Sequence, residues 1–265
     1  MNSNTIFNAA LGMVALLATP SALWAQIQIS CNTPIEIDEN FTSPSNVEYT
    51  KTTSGPCFLV TAANVTLNLS NTTITCNRTS PALCENAISV QATGVTVKNG
   101  SIKSGTGAWG RGVHCVSFSG VFFCKVQDLY IEDAWVSAID GAEQVDTSVI
   151  VNSERCIRSL GQLGTSGRYF QNFCDADSVG IEAIGPSSGA FDIERNYVRA
   201  FGESGTGILL DSGNFDLTKN IIDADEYIDD SGAGTVTLSK NICGDVTRCP
   251  LPGGKPFSLS FDFPE

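Results

Sequence analysis

The chain has one histidine, two methionines and few charges, and each shortage argues against a class of function. Charged residues fill 16% of the 265 positions, below the quarter usual in globular proteins. Basic residues are the scarcer kind: 15 Lys and Arg stand against 28 Asp and Glu, giving a net charge of −13 and a pI near 4.4. Nucleic acid is not expected as a partner, because phosphate contacts need a basic stripe. An anionic polysaccharide would also be repelled unless a cation bridged it. With a single His and no C-x-x-C spacing, the ten cysteines do not read as zinc ligands. Helical periodicity is hard to find, and beyond residue 25 no apolar run is long enough to span a membrane.

The apolar run that does exist is N-terminal. Leu11 to Leu17 is apolar, Pro20 breaks it, and Ala22-Leu23-Trp24-Ala25 offers a cleavage site before Gln26. Residues 1–25 therefore read as a secretory signal, although they contain no Lys or Arg. All ten cysteines follow that site, which fits a secreted or periplasmic protein with a disulfide framework. Six N-x-S/T triplets, at Asn40, Asn64, Asn68, Asn71, Asn77 and Asn99, read as turn residues of the fold rather than as glycan acceptors.

What the sequence has in abundance is a recurring phrase. Phe191-Asp192-Ile193-Glu194-Arg195-Asn196-Tyr197-Val198 returns 24 residues later as Phe215-Asp216-Leu217-Thr218-Lys219-Asn220-Ile221-Ile222. It returns 21 residues further on as Val236-Thr237-Leu238-Ser239-Lys240-Asn241-Ile242-Cys243. Looser copies precede it: Leu69 to Ile74, Val97 to Ile102, Val126 to Ile131, Val149 to Val151 and Tyr169 to Cys174. Strand-like alternation at a period of this size predicts an all-β solenoid of about eight rungs, each burying its apolar face only by stacking on its neighbours. The Asn positions suit tight left-handed turns, and stacked Asn side chains can pass hydrogen bonds from rung to rung.

A second strand alternates with the first: Gly112-Val113-His114-Cys115-Val116, Trp135-Val136-Ser137-Ala138-Ile139, Gly180-Ile181-Glu182-Ala183-Ile184 and Gly207-Ile208-Leu209-Leu210-Asp211. Period-two alternation points Val113, Val136, Ile181 and Ile208 inward, and His114, Ser137, Glu182 and Leu209 outward. Only adjacent rungs touch in a solenoid, so sequential disulfides are expected: Cys31–Cys57, Cys76–Cys84, Cys115–Cys124, Cys156–Cys174 and Cys243–Cys249.

Asn64-Val65-Thr66-Leu67-Asn68-Leu69, followed by Gly94-Val95-Thr96-Val97-Lys98-Asn99-Gly100-Ser101-Ile102, resembles the opening rungs of right-handed parallel β-helix proteins of the pectin-lyase-like class. The resemblance implies a single-stranded right-handed parallel β-helix over residues 64–243, with an N-terminal cap at 26–63 and a C-terminal cap or tail at 244–265. It also implies a substrate face along the Gly112, Trp135, Gly180 and Gly207 strands. Arg111, His114, Arg158 and Glu182 are the candidate catalytic residues there, with Asp140 and Asp211 flanking the outward ladder. A polysaccharide lyase needs a base for the proton α to a carboxylate and a cation to neutralise that carboxylate. The hydrolase pattern of the class departs here, with Asp175-Ala176-Asp177 in place of paired aspartates and Gly205-Thr206-Gly207 in place of Gly-His-Gly. Asp175 and Asp177 offer hard oxygen ligands for Ca2+, which would bridge an anionic glycan to an acidic protein. Exposed tryptophan beside such a groove would stack on sugar rings, and Trp109 and Trp135 are the candidates. The expected function is binding of an extended polysaccharide along one face, with β-elimination as its catalytic form; the alternative is a non-catalytic extracellular or envelope scaffold or adhesin.

Overall fold

The computed structural model describes residues 26–79, 83–116, 123–159, 167–185, 190–202 and 205–244. Among them every regular element is a β-strand, 23 in all, and every strand pairing is parallel. The chain winds as a right-handed parallel β-solenoid of about eight turns. Residues 1–25, which the sequence reading took as a secretory signal, and the residues beyond Gly244, Cys249 among them, lie outside the described residues.

Three sheets run along the coil, here called A, B and C. Each is held by one dominant inward column of stacked side chains, read directly from the strand register. On sheet A the column is Ile35, Phe58, Ile88, Val113, Ile139, Ile157, Ile181, Ile208, Ile228. On sheet B it is Leu67, Val97, Val126, Val145, Tyr169, Ile193, Leu217, Leu238. On sheet C it runs from Ile29 through Tyr49, Ile74, Ile102, Ile131 and Ile150 to Cys174, Val198, Ile222 and Cys243. β-Branched residues dominate because they fit the pleat and face their own kind one turn away. Segment 26–63 already supplies strands to all three sheets, through Ile27↔Val47, Ile35↔Phe58 and Phe41↔Leu67.

The turn from B to C shows why the phrase repeats. Asn172, Asn196 and Asn220 are buried, and each side chain bridges to the next turn. Asn196 Oδ1 accepts from the Asn172 backbone N–H at 3.0 Å and from Asn172 Nδ2 at 2.9 Å, while its own Nδ2 donates to Tyr169 O at 2.9 Å and to Asn220 Oδ1 at 3.0 Å. Asn220 repeats the pattern onto Asn241, and Ser148 begins it by donating its N–H to Asn172 Oδ1 at 2.9 Å. Left-handed backbone sits one residue earlier than the sequence reading placed it in these turns. Gln171, Arg195, Lys219 and Lys240 carry φ of 55°, 59°, 57° and 58°, whereas the following Asn is free to aim its amide inward. In two earlier turns Asn71 and Asn99 do take the left-handed conformation themselves, at φ 63° and 60°.

Four disulfides have both partners described, and they follow the sequential order: Cys31–Cys57, Cys76–Cys84, Cys115–Cys124 and Cys156–Cys174. Cys243 is disulfide-bonded as well. At the N-terminal end the buried ammonium of Lys51 donates to the carbonyls of Cys31, Asn32 and Pro56 at 2.8, 3.0 and 2.9 Å, so the cation knits loops that have no strand partner. Gly180 and Gly207 lie inside the corner where sheet C bends into sheet A. A Cβ on Gly180 would run into Val198 and into the backbone of Gly207, which is why the bend falls on glycine.

Candidate functional site

The outward column of sheet A reads Ser89, His114, Asp140, Arg158, Glu182, Leu209, Asp229. It corrects one expectation. Asp140, not Ser137, stands beside His114, and Ile139, not Val136, stacks on Val113. A register shift between Ala134 and Ser137 moves the strand along, and Ser137 is buried with its hydroxyl donating to Ile139 O at 3.0 Å. A second position along these strands carries Asn86 and Arg111 on successive turns, with the buried Ser137 next in register, and Arg155 opposite Val179.

These two columns bring Arg111, His114, Arg158 and Glu182 onto one face; Asp140, expected to flank the column, stands within it, and Arg155, which the sequence reading did not name, joins them. Arg111 Nε lies 2.6 Å from Asp140 Oδ2, a charge-assisted hydrogen bond, and His114 Nε2 lies 3.9 Å from the same oxygen. One turn on, Arg155 and Arg158 flank Glu182, each Nε 3.4 Å from one carboxylate oxygen. Burial holds the His114 pKa below the ordinary imidazole value; Asp140 pulls it up and Arg111 pushes it down again. The ring is therefore neutral at pH 7.

The face is not fully satisfied internally. Asn86 Oδ1, Asp140 Oδ1, Arg155 Nε and Arg158 Nε are buried atoms without a hydrogen-bond partner. The two guanidinium Nε–H groups are close to Glu182 in charge but not aligned on it. Buried groups of this kind are normally paired with protein, water or ligand. Here acceptors lie on the turns of Asn86 and Asp140, and donors on the single turn that carries Arg155 and Arg158. Trp135, 68% exposed, sits at the near edge of the same face, at the start of the strand Ala134–Asp140. Trp109 has the opposite fate: it is fully buried, with Nε1 donating to Lys103 O at 3.0 Å.

Asp175 and Asp177 are elsewhere. Asp175 faces out from sheet C and pairs with Arg199 at 3.7 Å, while Asp177 is exposed at the corner toward sheet A. Among the described residues no group of three or more His, Cys, Asp or Glu converges as a set of metal ligands. A shallow groove on sheet B, lined by Asp192, Glu194, Asp216, Thr218 and Thr237, was not foreseen. Burial raises the Asp192 pKa, and neighbouring Asp216 and Glu194 raise it further, against a smaller lowering by Arg168. Among the described residues no helix is long and apolar enough to cross a membrane.

Compared with family models, curated proteins and solved structures, the chain gives no match. Of the resemblance, the right-handed parallel β-solenoid is present and membership of the pectin-lyase-like class has no support, so function has to be argued from the faces of the coil alone.

Proposed function

We propose that the protein is a secreted or periplasmic β-solenoid that binds an extended, hydroxyl-rich polysaccharide along sheet A without cleaving it. The observation that carries this is the cluster of unpartnered buried atoms, Asn86 Oδ1, Asp140 Oδ1, Arg155 Nε and Arg158 Nε, beside the exposed Trp135. Sugar hydroxyls both donate and accept, so a single glycan can meet acceptors on one turn and donors on the next. Successive turns are spaced about 4.8 Å apart, comparable with the advance of one sugar in an extended chain. Trp135 supplies a flat apolar surface for a ring. Four buried disulfides between residues 31 and 174 fit an oxidising compartment.

Binding is favoured over β-elimination by the order of the column. Neutral His114 could serve as a base, but Asp140 separates it from Arg158 in the ladder, and Arg111 is already engaged by Asp140. A uronate carboxylate placed between base and Arg158 would meet a like charge.

The test is a glycan array with wild type, Trp135→Ala and Asp140→Asn, run beside an ultraviolet assay for unsaturated uronide ends. Wild type is expected to bind at least one extended polysaccharide and to release no unsaturated product. Trp135→Ala should weaken binding about tenfold, with an unchanged melting temperature. Absence of binding to every glycan, or an unaltered Trp135→Ala affinity, refutes the reading; product formation refutes its non-catalytic part.

A further inference from the structure

Sheet C carries an outward stripe that polysaccharide binding on sheet A does not use. Its register aligns Tyr130, Val149, Phe173, Tyr197, Ile221 and Ile242 on six successive turns. Val149 and Ile221 are 40% and 38% exposed, and Phe201, two positions along from Arg199 on the same face, is 51% exposed. Alternation would normally put polar side chains here. Instead Phe173-Cys174, Tyr197-Val198 and Ile221-Ile222 are apolar on both faces of the strand. Contiguous exposed apolar surface of this kind marks an interaction site.

The ring geometry says what does not bind. Phe173 and Tyr197 stack on each other at 5.2 Å with 1° between their planes. Each covers a face of the other and both present edges outward, so a sugar ring finds no broad platform there. The charges beside the stripe say what does. The next outward column holds Val151, then Asp175, Arg199 and Asp223 in register, and Asp175 and Arg199 form a pair at 3.7 Å.

We propose that this stripe is the interface of a symmetric dimer in which sheet C of one copy packs antiparallel on sheet C of a second. The two-fold axis runs along the strand direction, midway between the Phe173 and Tyr197 turns. That rotation lays Phe173 against the second copy's Tyr197, Val149 against Ile221 and Tyr130 against Ile242. It also sets Asp175 opposite Arg199 and Arg199 opposite Asp175, so the charge pattern is self-complementary about the centre of the apolar stripe. A two-fold interface requires this isologous match. Val151 opposes Asp223 at the rim, where solvent accommodates the carboxylate. Six turns of about 4.8 Å and strands of about four residues at ~3.3 Å give a face of roughly 400 Å² per copy. Stable complexes bury about twice that, so the dimer is a weak one, in the micromolar range.

Sedimentation equilibrium of the full chain across a wide concentration range reads this directly. Wild type should pass from monomer to dimer. Arg199→Asp should weaken association about tenfold or more, because it sets two carboxylates against each other at both ends of the centre. The reciprocal double variant, Asp175→Arg with Arg199→Asp, should restore association, since the antiparallel match is regained with signs exchanged. Far-ultraviolet circular dichroism and melting temperature confirm that each variant folds; where Arg199→Asp does not, Ile221→Lys on the same stripe replaces it and should abolish the dimer. A wild type that stays monomeric throughout overturns the proposal. So does a double variant that associates no better than Arg199→Asp, or a soluble, folded Ile221→Lys that still dimerises.

Discussion

Replacing Asn196 by alanine removes the middle link of the buried amide ladder. Four hydrogen bonds go at once: two accepted by Oδ1, from the Asn172 N–H and Nδ2, and two donated by Nδ2, to Tyr169 O and Asn220 Oδ1. Some of the released groups keep another partner. Asn172 Nδ2 still donates to Val145 O, and Asn220 Oδ1 still accepts from the residue-196 N–H. The Asn172 N–H does not, and it is buried. An orphaned buried donor costs ~1–3 kcal/mol, and each net hydrogen bond lost costs ~1 kcal/mol. The expected loss is therefore about 3–4 kcal/mol, allowing for the groups that keep a partner. Asn241→Ala at the end of the ladder is the internal control. Asn241 is half-buried, so water can reach the groups it leaves, and about 1 kcal/mol is expected. Urea unfolding under oxidising conditions measures the difference through the midpoint at constant slope. Because solenoids need not unfold in one step, amide hydrogen exchange at Asn172 gives the local value. If Asn196→Ala falls within 0.5 kcal/mol of Asn241→Ala, or leaves Asn172 exchange unchanged, the ladder does not bear the load assigned to it.

Three further outcomes follow from the same structure. Removing the Cys156–Cys174 bridge, which closes 18 residues, as a double serine variant should lower stability by about 3 kcal/mol in chemical denaturation on chain-entropy grounds. His114 has a folded-state pKa below its unfolded value, so the unfolded chain takes the proton first; stability should be complete above about pH 6.5 and fall as the pH drops below it, and the pH profile of the melting temperature should flatten in His114→Gln. Asp192 has its pKa raised, so its ionised form opposes folding once the pH exceeds that raised value; Asp192→Asn should raise the melting temperature at pH 7, less so in high salt, and not at pH 3.

The architecture was legible because its cause is local and repeated. One apolar inward position per strand and one Asn per turn recur in the chain as a phrase, and both occupy the stacked columns that the phrase implies. The sequential disulfides were legible for a related reason, since a coil offers each cysteine few neighbours. Register within sheet A was not fully legible. The irregularity between Ala134 and Ser137 leaves no trace in the alternation of Trp135-Val136-Ser137-Ala138-Ile139, so Ser137 took the place beside His114 and Asp140 was expected at the flank instead of in the column. The two tryptophans could not be told apart either, because burial of Trp109 depends on a carbonyl six residues upstream reached across a bend. The stripe on sheet C did leave a signal. Adjacent apolar residues at Phe173-Cys174, Tyr197-Val198 and Ile221-Ile222 violate the inside–outside alternation at the same place in three successive turns.

The joint between sheets B and C has a consequence for how such a chain can change. From Thr147-Ser148 onward it is always two residues, Gln171-Asn172, Arg195-Asn196, Lys219-Asn220 and Lys240-Asn241, the first left-handed and the second anchored inside. One added residue there would put every later side chain on the wrong surface of its strand. The connections from sheet A to sheet B obey no such rule: they range from the pair 212–213 to the run 159–167, yet the strands on either side keep their register. Length thus varies from turn to turn along one edge of the coil, while the opposite corner is constant. A peptide epitope grafted into the connection 91–94, where Gln91 and Thr93 are exposed, should leave the strands on either side in register.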